Sequence, residues 1–395
     1  MGVEKETVGE EQERHATNLE LFLDLAFVLS IAQATTFISS NFTPTGILKG
    51  VLLTWLIWWL WTAFTWAGAA VNFQTSTKHR VFILFMIPML LVVAVSLPYA
   101  YADLGLWFAL SYLVVQVWIT LLQGIDAWDT VDTRKAWLSY GPFALIAPII
   151  LVTGAFFDDN TRIIIWSCAA AVNIASALFG GRTSKNVWRI NASQFTERHC
   201  LFIIISLGEV IVAVGVKASS LVEKYSFTFD LGLSVVIAAA IACIYWWTYF
   251  AYLPDVLEHA LGSVETRRKG QVARDLFSFG HFPIVVSIIF YAVIAKHFLE
   301  HPFDPLETTD LVLLALSATL LLGSILHIQW RLKRHLSPQR MMGIVATLIL
   351  AWCGQYMDAV TTLCLYALLM GTISIIIWFK VKAEVQESTQ GKAEK

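Results

Sequence analysis

The sequence predicts an all-α polytopic membrane protein of about 12 transmembrane helices, laid out as two parallel six-helix repeats. Three observations carry this. Hydrophobic residues make up 57% of the chain and charged residues only 14%, with a mean hydropathy of +0.66; a soluble domain carries about 25% charged residues. Runs of about 20 apolar residues, long enough to cross the hydrocarbon core as helix, recur along the whole chain. The Lys and Arg residues, finally, fall almost wholly on alternate loops.

Taken in order, residues 1–18 are polar and acid-rich and are expected as a cytoplasmic N-tail. They lack the basic start and apolar core of a cleavable signal, so insertion is expected to rely on the first membrane helix. Spans follow at 19–38, 46–66, 81–101, 104–124, 137–156 and 162–180, which make the first repeat, 19–180. A cytoplasmic linker at 181–199 leads to the second repeat, 200–380, with spans at 200–221, 231–253, 275–297, 310–330, 341–357 and 359–380. The last two are joined by a short turn near Asp358, and the polar residues 381–395 form a cytoplasmic C-tail.

Charge placement tests this layout. The N-tail, the even-numbered loops and the C-tail hold 22 of the 27 Lys and Arg residues; the other side keeps Lys49, Arg162, Lys217, Lys224 and Lys296. By the positive-inside rule both termini face the cytoplasm, and removing one span would destroy the asymmetry. The halves also echo each other. Glu13-Arg14-His15 precedes the first span and Glu197-Arg198-His199 the seventh, Trp58-Trp59 answers Trp246-Trp247, and Arg80 and Pro88 answer Arg274 and Pro283. Six spans per half give both repeats one orientation, about an axis along the membrane normal.

Intramembrane charges carry the functional expectation, because a carboxylate at the centre of a span costs roughly 2.5–3.5 kcal/mol on insertion. Asp24 lies about 7.5 Å inside the first span at 1.5 Å per residue. Glu209 sits nearer the midplane of the seventh, with Arg198 and His199 just before that span. Glu20, one turn before Asp24, reads as a solvated end residue. Arg274, Ser278 and His281 share a face at the start of the ninth span, with Asp275 beside them, and could serve as charge or proton partners. For Asp24 and Glu209, ion coordination or proton relay stands against a structural hydrogen bond or ion pair joining the halves; for the group at the ninth span, the alternative is an interfacial helix start with His281 hydrogen-bonded to backbone. The tryptophans at 55, 58, 59, 61 and 66 read as helix packing or as a wall for a lipidic ligand. Cys168, Cys200, Cys243, Cys353 and Cys364 have no metal-ligand spacing and read as small core residues.

Phosphate-binding glycine loops, HExxH and GxSxG are absent. No cofactor, metal or nucleic-acid partner is expected; the expected partners are the lipid bilayer and a small ion or proton, with the oligomeric state open. The segments LELFLDLAFVLSIAQ (19–33), ERHCLFIIISLGEVIVAVG (197–215) and RDLFSFGHFP (274–283) resemble the characteristic stretches of the bacterial low temperature requirement protein A (LtrA) family. The resemblance implies a multi-pass inner-membrane protein linked to growth in the cold and supplies no substrate. The order Glu20, Phe22, Asp24, Ala26, Phe27 is also similar to the RxxxFSD motif of two-repeat potassium channels, with Leu23 at the serine and no matching arginine. The expected function is ion- or proton-coupled transport or conduction. The alternatives are an accessory protein without turnover and a membrane enzyme acting on a lipid.

Overall fold

The computed structural model describes residues 16–70, 77–125, 131–180 and 190–393. The Glu13-Arg14-His15 triplet, the N-tail to residue 15 and residues 181–189 of the linker lie outside the described residues. Those described form 15 α-helices, and their one β-type pairing is an isolated bridge between Pro305 and Asp358.

The helices are α1 (Asn18–Ser40), α2 (Pro44–Ala70), α3 (Thr77–Ser96), α4 (Gly105–Ile125), α5 (Val131–Ala144), α6 (Ile146–Gly154) and α7 (Asp159–Gly180). They continue as α8 (Ala192–Tyr225), α9 (Phe229–Phe250), α10 (Leu253–Ser263), α11 (Thr266–Ala273), α12 (Phe282–Glu300), α13 (Thr308–Lys333), α14 (Pro338–Gly354) and α15 (Ala359–Ala393). Among the described residues 10 helical stretches are long and apolar enough to cross a membrane. Two of the expected spans are not among them. The stretch 137–156 is divided into α5 and α6, with Pro142 inside α5 removing a backbone donor just before the break. The stretch 341–357 is α14, which ends after 17 residues.

Local chemistry sets the helix ends. Thr17 and Glu20 form a reciprocal capping box at the start of α1. Asn191 accepts the Gln194 N–H, so α8 begins at Ala192, ahead of the expected start at 200. Asp358 accepts both the N–H (2.7 Å) and the hydroxyl (3.0 Å) of Thr361 at the start of α15, and these bonds hold its carboxyl below the ordinary range. Between α11 and α12 the chain makes a π-helical turn, Arg274–Phe279, before Pro283 enters the first turn of α12. Such widened turns leave carbonyls available to side chains and recur at functional sites.

Packing is alike on the two sides of the molecule. α1 lies on α2 and α3, α3 on α4, α6 on α7, and α2 on α7. Correspondingly, α8 lies on α9 and α12, α12 on α13, α14 on α15, and α9 on α15. The two groups meet where α1 touches α8 and α12. Outside this core, Phe85, Val95, Trp107, Val216, Ile349 and Leu368 face outward, as a surface solvated by lipid would present them. Cys168, Cys243 and Cys353 share that outer surface, and Cys200 and Cys364 are half-buried; the expectation of five core thiols is corrected, since a small apolar residue is equally at home against lipid. Arg162 donates to the carbonyls of Ala100, Ala102, Ala155 and Phe157 at 2.8–3.1 Å, tying two turns together.

The α1–α2 hairpin closes at Gly50, where a Cβ would stand 2.2 Å from Ile38 Cγ1. Gly50→Val is therefore expected to destabilise the protein by about 1–3 kcal/mol through overpacking. A thermal melt in detergent that matches wild type would refute this close approach.

Candidate functional site

The site is built on α1, whose first two turns carry Glu20 and Asp24 on one side. Both are fully buried, so Glu20 is not the solvated end residue expected from its position. What covers them is the early part of α8. Arg198, 1% exposed, places Nη2 at 2.8 Å from Asp24 Oδ1 and Nη1 at 3.6 Å from Glu20 Oε1. Gln194, one turn earlier, donates to Glu20 Oε1 at 3.3 Å. The other Glu20 oxygen accepts the Thr17 N–H at 2.8 Å. The guanidinium lies over the Phe64 ring, 4.7 Å from its centroid, which suits a weakly hydrated planar cation.

Helix α2 supplies the clamp. Its indoles carry N–H donors that need acceptors in an apolar interior. Trp61 donates to Asp24 Oδ1 at 2.9 Å, Trp58 to the Ser278 carbonyl at 2.7 Å and Trp66 to the Ser278 hydroxyl at 3.0 Å. The tryptophans therefore fasten α1 and the π-turn to α2. This favours the packing reading of that cluster and gives Ser278 its place.

Beside the carboxylates lie two fully buried histidines, His199 and His281, with ring centroids 5.3 Å apart. His199 Nδ1 donates to the Phe195 carbonyl (2.8 Å) and His281 Nδ1 to the Leu276 carbonyl (2.9 Å). This directs each Nε2 inward as the acceptor of a neutral ring. His281 Nε2 accepts the Tyr249 hydroxyl at 2.7 Å. Among the described residues His199 Nε2 has no hydrogen-bond partner, nor have Asp24 Oδ2 and Arg198 Nε. Buried polar atoms rarely stay unspent, so this cluster retains capacity to take a proton or a small polar ligand.

Arg274 and Asp275 lie apart from it. Arg274 binds Asp275 (2.7 Å) and the Ala177 carbonyl (3.1 Å), and the second Asp275 oxygen pairs with Arg331. They tie the π-turn to α7 and α13; the cation that meets Asp24 is Arg198. Glu209 is likewise separate. It is half-buried on α8 and interacts electrostatically with the half-buried Lys296 of α12. Further along the same two helices Lys217 pairs with Glu300. His297 bonds Asp310 at 2.9 Å and its other nitrogen lies 3.4 Å from the Ser39 hydroxyl. His297, Glu300 and Asp310 line an open cavity of about 550 Å³ together with Asp304 and Glu307.

Sequence reasoning did not single out Trp61 as a ligand to Asp24, nor Gln194, Tyr249 or Lys296. Lys296 was the one with a signal, a lysine inside an apolar run; the others became visible only through packing. The described residues contain no His, Cys, Asp and Glu grouping suited to a metal ion.

A family model described as "Bacterial low temperature requirement A protein (LtrA)" matches residues 15–375. An uncharacterized protein of Rhizobium meliloti (strain 1021) is 29% identical over 299 residues, which cover 72% of this chain and 70% of that protein. No solved structure matches the chain.

Proposed function

The chain belongs to the bacterial low temperature requirement A protein (LtrA) family, and we propose that it is an ion- or proton-coupled membrane transporter or channel. One observation carries this reading: a row of ionisable side chains runs along the seam where α8 meets α1 and α12. Arg198, Glu209 and Lys217 mark α8 over 19 residues, about 28 Å at 1.5 Å per residue, close to the thickness of the hydrocarbon core. Facing them are Glu20 and Asp24 from α1, and Lys296 and Glu300 from α12; His297, next to Lys296, turns to Asp310 of α13 and Ser39 of α1. Ionisable groups in spans concentrate where ions or protons pass, because only there does their insertion cost bring a return.

In this reading the molecule is two parallel six-helix repeats, 19–180 and 200–380, in the cell membrane with both termini cytoplasmic. The shared packing order of α1–α7 and α8–α15 and the lopsided Lys and Arg distribution support it. The acidic cavity then opens outward and gathers cations, while the Asp24–Arg198 pair and the two histidines form the inner end. Glu209 is the exchanging carboxylate near the middle, held half-buried and close to Lys296.

A second reading, an accessory protein whose buried acids only join the halves, is favoured by the complete burial of the Asp24–Arg198 pair. Ion and proton flux into liposomes separates the two. Wild type is expected to carry flux and Glu209→Gln to lose at least tenfold at equal folded protein. Absence of flux from wild type under every imposed ion or pH gradient would favour the accessory reading.

A further inference from the structure

Arg340, near the start of α14, is 1% exposed, yet no carboxylate pairs with it among the described residues. Its guanidinium donates to two neutral oxygens, Gln329 Oε1 at 2.8 Å and the Tyr252 hydroxyl, and its Nε has no hydrogen-bond partner among the described residues. A buried cation without a counter-charge is costly, so the surroundings of this arginine are suited to an anion. They include a cavity of about 90 Å³, several times the 10–15 Å³ that one water needs. Lys333 and Lys380 stand on its rim, with Glu384 bound to Lys333 at 3.4 Å. Ser337, which also lines the cavity, leaves the first turn of α14 without a side-chain cap, so the N–H groups that follow Pro338 are not taken up by it.

Beside these polar groups and His335, the cavity has an apolar wall that includes Val256, Ile325, Ile328 and Ile377. Two tryptophans flank it in sequence, each under a cation: Trp330 beneath Arg334 (4.6 Å) and Trp378 beneath Lys382 (5.2 Å). Tryptophan with snorkelling Lys or Arg marks the headgroup level of a bilayer. An anion-seeking centre, an apolar wall and interfacial anchors together describe an amphiphile with a phosphate head. We propose that this pocket between α9–α10, α13, α14 and α15 binds the phosphate of an anionic phospholipid, with Arg340 at its centre, Lys333 and Lys380 at its rim and the acyl chain along the apolar wall.

Thermal unfolding of purified protein in detergent, titrated with phosphatidylglycerol, phosphatidylcholine or inorganic phosphate, tests this. Phosphatidylglycerol is expected to raise the melting temperature saturably and phosphatidylcholine to leave it unchanged. Arg340→Gln should raise the half-saturating phosphatidylglycerol concentration at least tenfold. Because that variant removes a buried side chain, the exposed pair Lys333→Gln with Lys380→Gln provides a second arm, expected to weaken the effect severalfold without loss of folding. Equal stabilisation of wild type and the rim double variant would overturn the proposal. A shift fully reproduced by inorganic phosphate would also overturn it and leave a soluble phosphate ligand instead.

Discussion

Arg198→Gln is expected to cost about 3–5 kcal/mol of stability, the range seen when one partner of a buried ion pair is removed. The size follows from what would be left behind. Glu20 and Asp24 are fully buried one turn apart on α1, and Arg198 is the cation within reach of both. Without it, two carboxylates share an apolar site with only the Trp61 and Gln194 donors and the Thr17 N–H to hold them. Arg198→Lys should recover little, since an ammonium cannot span two carboxylates while lying flat on Phe64. Asp24→Asn is expected to cost less, and combined with Arg198→Gln the two losses should fall well short of additive, because the second change removes part of the penalty left by the first. Chemical denaturation in detergent measures all four proteins of the cycle. A cost for Arg198→Gln below about 1 kcal/mol would remove the pair from any account of how α1 and α8 are held.

How much of this was legible in the sequence depended on whether apolar periodicity or tertiary packing made the decision. Asp24 and Glu209 stood out because a carboxylate in an apolar run has few innocent explanations. Arg198 and His199 fall in the expected linker 181–199, just ahead of the apolar run; the helix there is started by Asn191 and kept by contact with α1. That same unexpected extension is what covers Glu20. Ser278 is held by the indoles of α2 and His281 by Tyr249, around a π-turn that no spacing rule anticipates, while Arg274 and Asp275 pair elsewhere. The clamping role of Trp58, Trp61 and Trp66 was likewise hidden, since it depends on which carbonyls and carboxylates their indoles meet. Span counting worked wherever the helix was long and uninterrupted, and left open the stretch broken near Pro142 and the 17-residue α14.

The second large effect concerns Glu209 of α8 and Lys296 of α12, two half-buried opposite charges on helices that pack together. Glu209→Lys would place a second ammonium beside Lys296, with Lys217 also acting on it; Lys296→Glu would place two carboxylates together in a half-buried span. Each single reversal is expected to lower the yield of folded, inserted protein at least fivefold, because like charges in a medium of low dielectric constant repel strongly. The double exchange restores opposite charges and should return the folded yield to within about twofold of wild type, the pattern of coupled neighbours rather than independent sites. Flux then separates structure from function. If the carboxylate must stand on α8 to hand ions or protons along the seam, the exchanged protein folds and stays inactive. Recovery of flux would mean that the pair matters irrespective of which helix carries the acid. Failure of the double exchange to recover folding would show that the two charges serve different neighbours, and Glu209 would then have to be understood through the lipid or solvent that it meets on its exposed side.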